Sequence, residues 1–423
     1  MRFTMVSIGS TGDVRPYVML GRELKRRGHE IRLACFSQFE KLVNDAGLEF
    51  YPLSGDIVNI MGKVMQQNGL VFLQKFESAI KNDLPDFMRD LKAACEGADA
   101  LICTFFGSVV YAIAEKNRVP CIQTHYFPMD YNASTPITCA PGLRVGKVWN
   151  KTTYKVGYAL INSLEWRYLR AWRREEGMRK KKITTRPDYE INGHHIPILY
   201  AMSPILVPRP LAWDEHIHMT GFWMDSEPSR FEPSRELQEF LEKGEKPVYI
   251  GFGSMVSGDM GKTLGIVLEA VRKAGVRAII ARGWGGEQVQ DVGNENVFVA
   301  DYLPHDWLFP RVAGVVHHGG AGTTAAGILA GRPTLVIPFG GDQPFWGLRM
   351  RQLGVGPKPI KRDRLTAAKL AKALRELVST PSYAVAAQEL GQRLRMENGT
   401  QTAADTIERE IAEWPEHPEI KEE

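Results

Sequence analysis

The sequence is poor in cysteine: Cys35, Cys95, Cys103, Cys121 and Cys139 are the only five, an odd number in the first third of 423 residues. No paired spacing joins them, which argues against a disulfide framework and for buried thiols in a reducing compartment. No run of 18 apolar residues is present to span a bilayer. Residues 2–8 read as a strand followed by a glycine turn, not as a signal peptide, so the expected location is the cytoplasm. The formal net charge of +4 is too small to suggest nucleic acid. Histidine is also scarce: His194-His195 and His216 with His218 lack further clustered ligands, so surface histidines are expected there and no metal site.

Hydrophobic residues make up 44% and charged residues 24%, both ordinary globular values, and the length exceeds one usual core. Two domains are therefore expected. In the first half, short apolar strands at 3–8, 31–35, 100–104 and 121–124 alternate with helical patterns such as 14–27, which Gly28 ends. The second half restarts the pattern, with strands at 247–250, 277–281, 297–299, 314–317 and 334–337 and a helix at 263–274. This alternation predicts an α/β fold of two doubly wound parallel-sheet domains. The boundaries are 1–222, a linker at 223–246 (rich in Pro, Ser and charge from 225 on), 247–395, and a helical tail at 396–423. Ligands of such sheets sit at the carboxyl ends of the strands.

The most informative segment is 301–343. His317-His318-Gly319-Gly320 forms a glycine-rich strand-to-helix turn, and Asp342-Gln343 follows about twenty positions later. A helix that opens with few side chains offers unpaired N–H groups and a positive dipole end, which suit phosphate. A carboxylate beside an amide suits the hydroxyls of a sugar. Together they point to a nucleotide-sugar site; the alternative is a purely structural turn with a satisfied histidine pair.

With Pro304 to Phe309, His317 to Thr324 and Pro338 to Gly347, the segment resembles the donor signature of the family 1 glycosyltransferases. It is most similar to the sterol 3-beta-glucosyltransferases and the glycopeptide-antibiotic glycosyltransferases, and Gly9 to Pro16 resembles the same branch. The resemblance implies a GT-B fold, in which the two Rossmann-like domains face a cleft and the last helix crosses back to the first domain. It also implies that His318, Ala321, Gly322 and Thr323 contact the diphosphate. Tyr302 and His305 would line the base pocket, and Asp342 and Gln343 would hold the sugar. Many plant-type members carry Trp where Tyr302 stands and a ribose-binding Glu where Ala325 stands; the gap at Ala325 fits the sterol and antibiotic branch and leaves UDP against TDP open.

Gly9-Ser10-Thr11-Gly12-Asp13 has G-x-x-G spacing, not a dinucleotide fingerprint. In the resembled branch this loop faces the acceptor and an aspartate serves as base, which makes Asp13 the catalytic candidate and Ser10 and Thr11 donor contacts. Asp13 also reads as a first-turn residue favoured by the helix dipole, and both roles are compatible. The sequence holds no Asp-x-Asp pair for a metal-bridged diphosphate, so no metal or cofactor is expected beyond the donor, UDP-glucose or another UDP/TDP-hexose.

Between 144 and 186, Trp149, Tyr154, Tyr158, Trp166, Tyr168 and Trp172 stand among many Lys and Arg. Two readings stand: a surface helix with a solvated basic face, or peripheral contact with a membrane surface. Phe105, Phe106, His125, Tyr126, Phe127, Met129 and Trp346 are candidates for a hydrophobic acceptor pocket, and equally for core. The expected activity is inverting, metal-independent transfer of a hexose to a hydroxyl of a lipophilic acceptor such as a sterol or triterpene. The alternatives are an antibiotic, macrolide or flavonoid glycosyltransferase, a nucleotide-sugar epimerase, or a catalytically silent nucleotide-sugar binding protein.

Overall fold

The computed structural model describes residues 1–55, 84–104, 107–132, 135–138, 146–178, 190–225, 230–253, 260–281, 295–301 and 303–415. The chain forms two compact units. One comprises Met1–Ile137, Leu143–Met224 and Asn398–Glu423; the other comprises Thr138–Gly142 and Asp225–Glu397.

The first unit runs β1 (Arg2–Val6), α1 (Thr11–Arg26), β2 (Glu30–Phe36), α2 (Glu40–Asp45), β3 (Glu49–Leu53), α3 (Leu84–Ala94), β4 (Ala100–Cys103), α4 (Ser108–Asn117) and β5 (Cys121–His125). There follow α5 (Gly146–Glu175), β6 (Glu190–Ile191), β7 (His194–His195), β8 (Ile198–Tyr200) and β9 (Ile217–Met219). Seven of these strands form one sheet in the order β3-β2-β1-β4-β5-β8-β9, every pair parallel. The strands are buried on both faces, so β4 and β5 carry no exposed position, as a parallel sheet covered by helices requires. β6 and β7 form a separate antiparallel hairpin, turned by Asn192 and Gly193 at φ of 51° and 81°.

In the second unit α6 (Arg235–Glu242) precedes β10 (Val248–Gly251), α7 (Met260–Ala274), β11 (Ala278–Ala281), β12 (Val297–Ala300) and α8 (His305–Leu308). β13 (Gly314–His317), α9 (Ala321–Leu329), β14 (Thr334–Val336), α10 (Gln343–Gln352), α11 (Ala367–Ser379) and α12 (Pro381–Leu394) complete it. Its five strands run β12-β11-β10-β13-β14, again all parallel. The core lies where Val248, Ile250, Val316 and Leu335 of the sheet meet Val267 and Val271 of α7 and Leu370, Leu374 and Leu377 of α11.

The segment read as linker contains α6. Ser234 caps it by accepting from Leu237 N–H at 3.3 Å, an Arg235–Glu239 pair supports its exposed side, and Leu237 is buried. A local cap and one apolar anchor thus override the Pro- and charge-rich composition. The tail predicted at 396–423 carries α13 (Gly399–Ala412). α13 packs on the first unit: Arg27 pairs with Asp405 at 2.6 Å and Glu408 at 2.8 Å, and Thr400 Oγ1 donates to Met224 O at 3.1 Å. Gly399 permits that approach, since a Cβ there would lie 2.3 Å from Phe222 O.

Strand order reverses direction between β1 and β4 in one sheet and between β10 and β13 in the other. A parallel sheet opens a crevice at such a switch point, at the carboxyl ends of the strands. Residues 7–13 follow β1, and 252–253 and 318–320 follow β10 and β13. The loops singled out from sequence are therefore the loops at the two crevices.

Candidate active site

In the second unit, the turn after β13 is built by glycines with nowhere else to go. Gly319 has φ of 98°, and a Cβ on it would stand 2.6 Å from Val336 Cγ1 and 3.0 Å from Gln343 O. The turn therefore lies directly against the start of α10, which carries the Asp342-Gln343 pair. Gly320 caps α9 without a side chain, and a Cβ there would meet His318 Nε2 at 2.6 Å. Glycine at 320 thus lets the imidazole lie over the helix N-terminus.

The first hydrogen bond into α9 is Thr324 N–H to Gly320 O, at 2.9 Å. The N–H groups of Ala321, Gly322 and Thr323 precede it and have no intrahelical acceptor. Gly322 is exposed with open space where a Cβ would point, and the Thr323 hydroxyl makes no hydrogen bond among the described residues. Three N–H groups, one hydroxyl and the positive helix end converge on one spot, an arrangement that takes an anion.

The two histidines differ. His317 is wholly buried and accepts from Gly319 N–H at Nδ1 (3.0 Å), which fixes its proton on Nε2. Burial, with His318 and His305 nearby, holds it neutral, far below the usual histidine range. His318 is partly accessible, and burial lowers its pKa to about 4, so it is a neutral imidazole. Its Nδ1 is buried without a hydrogen bond among the described residues. His318 is the histidine that can reach a ligand; His317 braces the turn.

Asp342 and Gln343 are held from behind. Gln343 Oε1 accepts from Phe339 N–H at 2.7 Å and Gly340 N–H at 3.2 Å, which leaves its amide NH₂ to donate elsewhere. Trp346 Nε1–H donates to Asp342 Oδ2 at 2.9 Å. Trp346 is 0% exposed, which corrects its reading as an acceptor wall: the ring is core, and its polar edge orients the carboxylate.

His305 opens α8, stacks on Phe309 with centroids 4.4 Å apart and lies 3.5 Å from Tyr249 Oη. Gly251 makes room for that phenol, since a Cβ there would be 2.2 Å from Tyr249 Oη. Sequence reading missed Tyr249 and Gly251, because only the pairing of Gly251 with His317 across β10 and β13 brings them to the site. Tyr302 lies outside the described residues. Ala325 is wholly buried, so no carboxylate stands at that point of the helix.

In the first unit, Ser10 and Asp13 form a capping box at the start of α1. Ser10 N–H donates to Asp13 Oδ2 at 2.7 Å and Ser10 Oγ–H donates to the same oxygen at 3.0 Å, while Ser10 Oγ accepts from Gly12 N–H at 3.3 Å. Oδ1 is left without a hydrogen bond among the described residues. Desolvation raises the Asp13 pKa above the usual aspartate value, and the Ser10 bonds pull it partly back. Tyr126 Oη–H donates to Asp13 O at 2.8 Å, and its ring meets Tyr17 and Trp223 edge to face. Thr11, at the first position of α1, is partly exposed.

Of the acceptor candidates, His125, Tyr126 and Met129 are buried and Phe127 is half-buried. Burial drops the His125 pKa to about 3, so it is a neutral core residue. Phe127 and Met129 pack together with Tyr154 and Tyr158 of α5. Phe105 and Phe106 lie outside the described residues. Cys35, Cys95, Cys103 and Cys121 are buried thiols outside any disulfide, and Cys139 is outside the described residues. Among the described residues, no three His, Cys, Asp or Glu side chains cluster to hold a metal, and no helix is long and apolar enough to cross a membrane.

Two parallel α/β units, each with a glycine-containing turn at its switch point, give the fold of the GT-B glycosyltransferases. Residues 3–133 match the glycosyltransferase family 28 N-terminal domain, and residues 268–412 match the C-terminal domain of erythromycin biosynthesis protein CIII-like proteins. A sterol 3-beta-glucosyltransferase of Arabidopsis thaliana is 37% identical over 417 residues, covering 94% of this chain and 64% of the relative. A second from the same plant is 33% identical over 440 residues, covering 99% of this chain and 69% of the relative. The chain thus spans about two thirds of the length of these plant proteins, and only 30% of a Neosartorya fischeri sterol 3-beta-glucosyltransferase that it matches at 34% identity. Among solved structures, the glycosyltransferase of kitacinnamycin superposes with a TM-score of 0.73 at 20% identity, covering 96% of this chain and 98% of that one. The chain belongs to the sterol 3-beta-glucosyltransferase family of GT-B glycosyltransferases.

Proposed function

We propose that the protein transfers a hexose, glucose from UDP-glucose, to a hydroxyl of a sterol or triterpene, with inversion and without a metal. The observation that carries the donor half is the start of α9: three unpaired N–H groups, the Thr323 hydroxyl and the neutral His318 imidazole converge where a diphosphate would sit. Such preorganised donors stabilise the charge that builds on the leaving diphosphate. The Asp342 carboxylate and the Gln343 amide take the sugar hydroxyls. The sterol acceptor rests on the names of the relatives at 33–37% identity, and those proteins are longer than this chain.

The acceptor oxygen attacks the anomeric carbon from the face opposite the diphosphate, and its proton passes to Asp13 Oδ1. The bond from the anomeric carbon to the diphosphate oxygen breaks, and UDP leaves with the electron pair. Asp13 is suited to this by its free Oδ1 and by desolvation, which makes it a stronger base than an aspartate in water. A cytoplasmic site of action agrees with the free thiols, and peripheral contact with a membrane through 144–186 would bring the enzyme to a bilayer-dissolved acceptor. A mass-spectrometric screen of UDP- and TDP-sugars against pooled sterols, triterpenes and polyketides tests the reading. A hexoside of a sterol from UDP-glucose is expected; no glycoside with any pair overturns it.

A further inference from the structure

The first three turns of α5 carry two different faces. Inward, Tyr154 and Tyr158 are buried with Met129 against Phe127, Tyr131 and Ile137. Tyr158 Oη–H donates to Met129 O at 2.7 Å, Tyr154 Oη–H to Pro136 O at 3.4 Å, and Ile137 N–H to Thr153 Oγ1 at 3.0 Å. Gly157 lets the facing segment come close, because a Cβ there would lie 2.3 Å from Ile137 Cδ1. This face therefore holds Phe127, Met129 and Tyr131 on one side and Pro136 and Ile137 on the other, and the first two are acceptor candidates.

Outward, at about 100° per residue, Lys151, Lys155, Thr152, Val156 and Trp149 succeed one another around one arc, and all five are exposed. Trp149 is 64% and Val156 54% exposed, large values for apolar side chains one heptad apart on a helix. Among the described residues neither lysine makes an ion pair, and Lys151 lies over the Tyr131 ring at 5.6 Å. Residues 146–158 hold no acidic side chain. An exposed indole and valine bordered by exposed lysines are complementary to a surface that is anionic outside and apolar beneath.

We infer that this outer arc seats on an anionic phospholipid surface, and that the inner arc, by holding Phe127 and Met129, couples seating to admission of a bilayer-dissolved acceptor. The inference rests on the reading of the protein as a transferase acting on a lipophilic hydroxyl.

The test uses the full chain with vesicles of phosphatidylcholine, with or without phosphatidylserine, and a sterol supplied either in the vesicles or on cyclodextrin. The wild type is expected to sediment with the anionic vesicles. Lys151→Gln with Lys155→Gln should weaken that binding roughly thirtyfold, at about 1 kcal/mol per charge near the surface. Trp149→Ser should weaken it severalfold even in high salt. Transfer to vesicle-borne sterol should fall in step with binding while transfer to cyclodextrin-borne sterol is unchanged. Binding that ignores these substitutions overturns the assigned face. Weakened binding with undiminished transfer to vesicle-borne sterol overturns the coupling. A wild type that glycosylates neither form of sterol sinks the transferase reading instead, and sedimentation still decides the face.

Discussion

The carboxylate of Asp13 folds back over Gly9 so closely that a Cβ on Gly9 would stand 2.2 Å from Oδ2 and 2.5 Å from Cγ. Gly9 is therefore glycine for the sake of a side chain four residues on, not for its own backbone angle. Gly9→Ala should expel the carboxylate from its capping box and lower turnover at least ~100-fold, the range of general-base loss. Donor binding, measured by calorimetry with UDP, should stay within severalfold of wild type. Unchanged turnover would mean that Asp13 does not act from the position described.

The pH dependence follows from the same residue. Desolvation raises the Asp13 pKa above 3.8 in the folded chain, so the basic form is lost as pH falls through that raised value. The acid limb of the turnover profile should lie above the ordinary aspartate range. Ser10→Ala, which removes a bond that lowers the pKa, should move the limb further up. A limb that stays put would detach Ser10 from the base.

Asp130 offers a stability test away from the chemistry. It is buried, accepts from Tyr200 Oη–H at 2.6 Å, and desolvation raises its pKa from 3.8 to about 6. Because the folded value is the higher one, its contribution favours folding below pH 3.8 and is lost as pH rises through about 6. Asp130→Asn keeps an acceptor for Tyr200 and should gain on the order of 3 kcal/mol relative to wild type between the acid and neutral ends. Urea unfolding at several pH values reads it, and a pH-independent difference would contradict the assignment.

Gly319 and Gly322 should part ways. At Gly319 a methyl group meets Val336 and Gln343 O with φ at 98°, so Gly319→Ala should destabilise the chain by ~2–4 kcal/mol. At Gly322 a Cβ meets nothing within 4 Å, so Gly322→Ala should leave the melting temperature unchanged or slightly raised. It should still weaken UDP binding about tenfold by standing between ligand and amide. Equal UDP affinity in that variant would move the diphosphate off α9.

Trp346→Phe removes the N–H that holds Asp342 Oδ2. A hydrogen bond to a charged group contributes ~1.5–3 kcal/mol, so the Michaelis constant for the sugar donor should rise ten- to a hundredfold. Affinity for UDP alone should hold, because UDP lacks the sugar. A loss shared by both ligands would make the effect structural.

Much of this was legible in the sequence, for reasons that can be named. Strand and helix periodicity, Gly28 after α1 and the glycine turn after β13 are local signals, and they located both sheets and both crevices. The roles of Tyr126 and Trp346 were not legible. Tyr126 reaches Asp13 across 113 positions, through a sheet order that local pattern does not encode. Trp346 reads as an aromatic next to a sugar-binding pair, and only its burial and its bond to Asp342 show that it serves from behind. Ser10 likewise reads as a donor contact by resemblance, while its hydroxyl is committed to Asp13 and Gly12.

The measurement closest to the central claim compares wild type with Asp13→Asn for glucose transfer from UDP-glucose to a sterol, alongside UDP affinity. Asparagine keeps an oxygen for Ser10 N–H and so preserves the cap while removing the base. Wild type is expected to give a β-glucoside, with turnover lower by ~100-fold or more in the variant and equal UDP binding. Turnover within severalfold of wild type, or an α-glucoside, would contradict it.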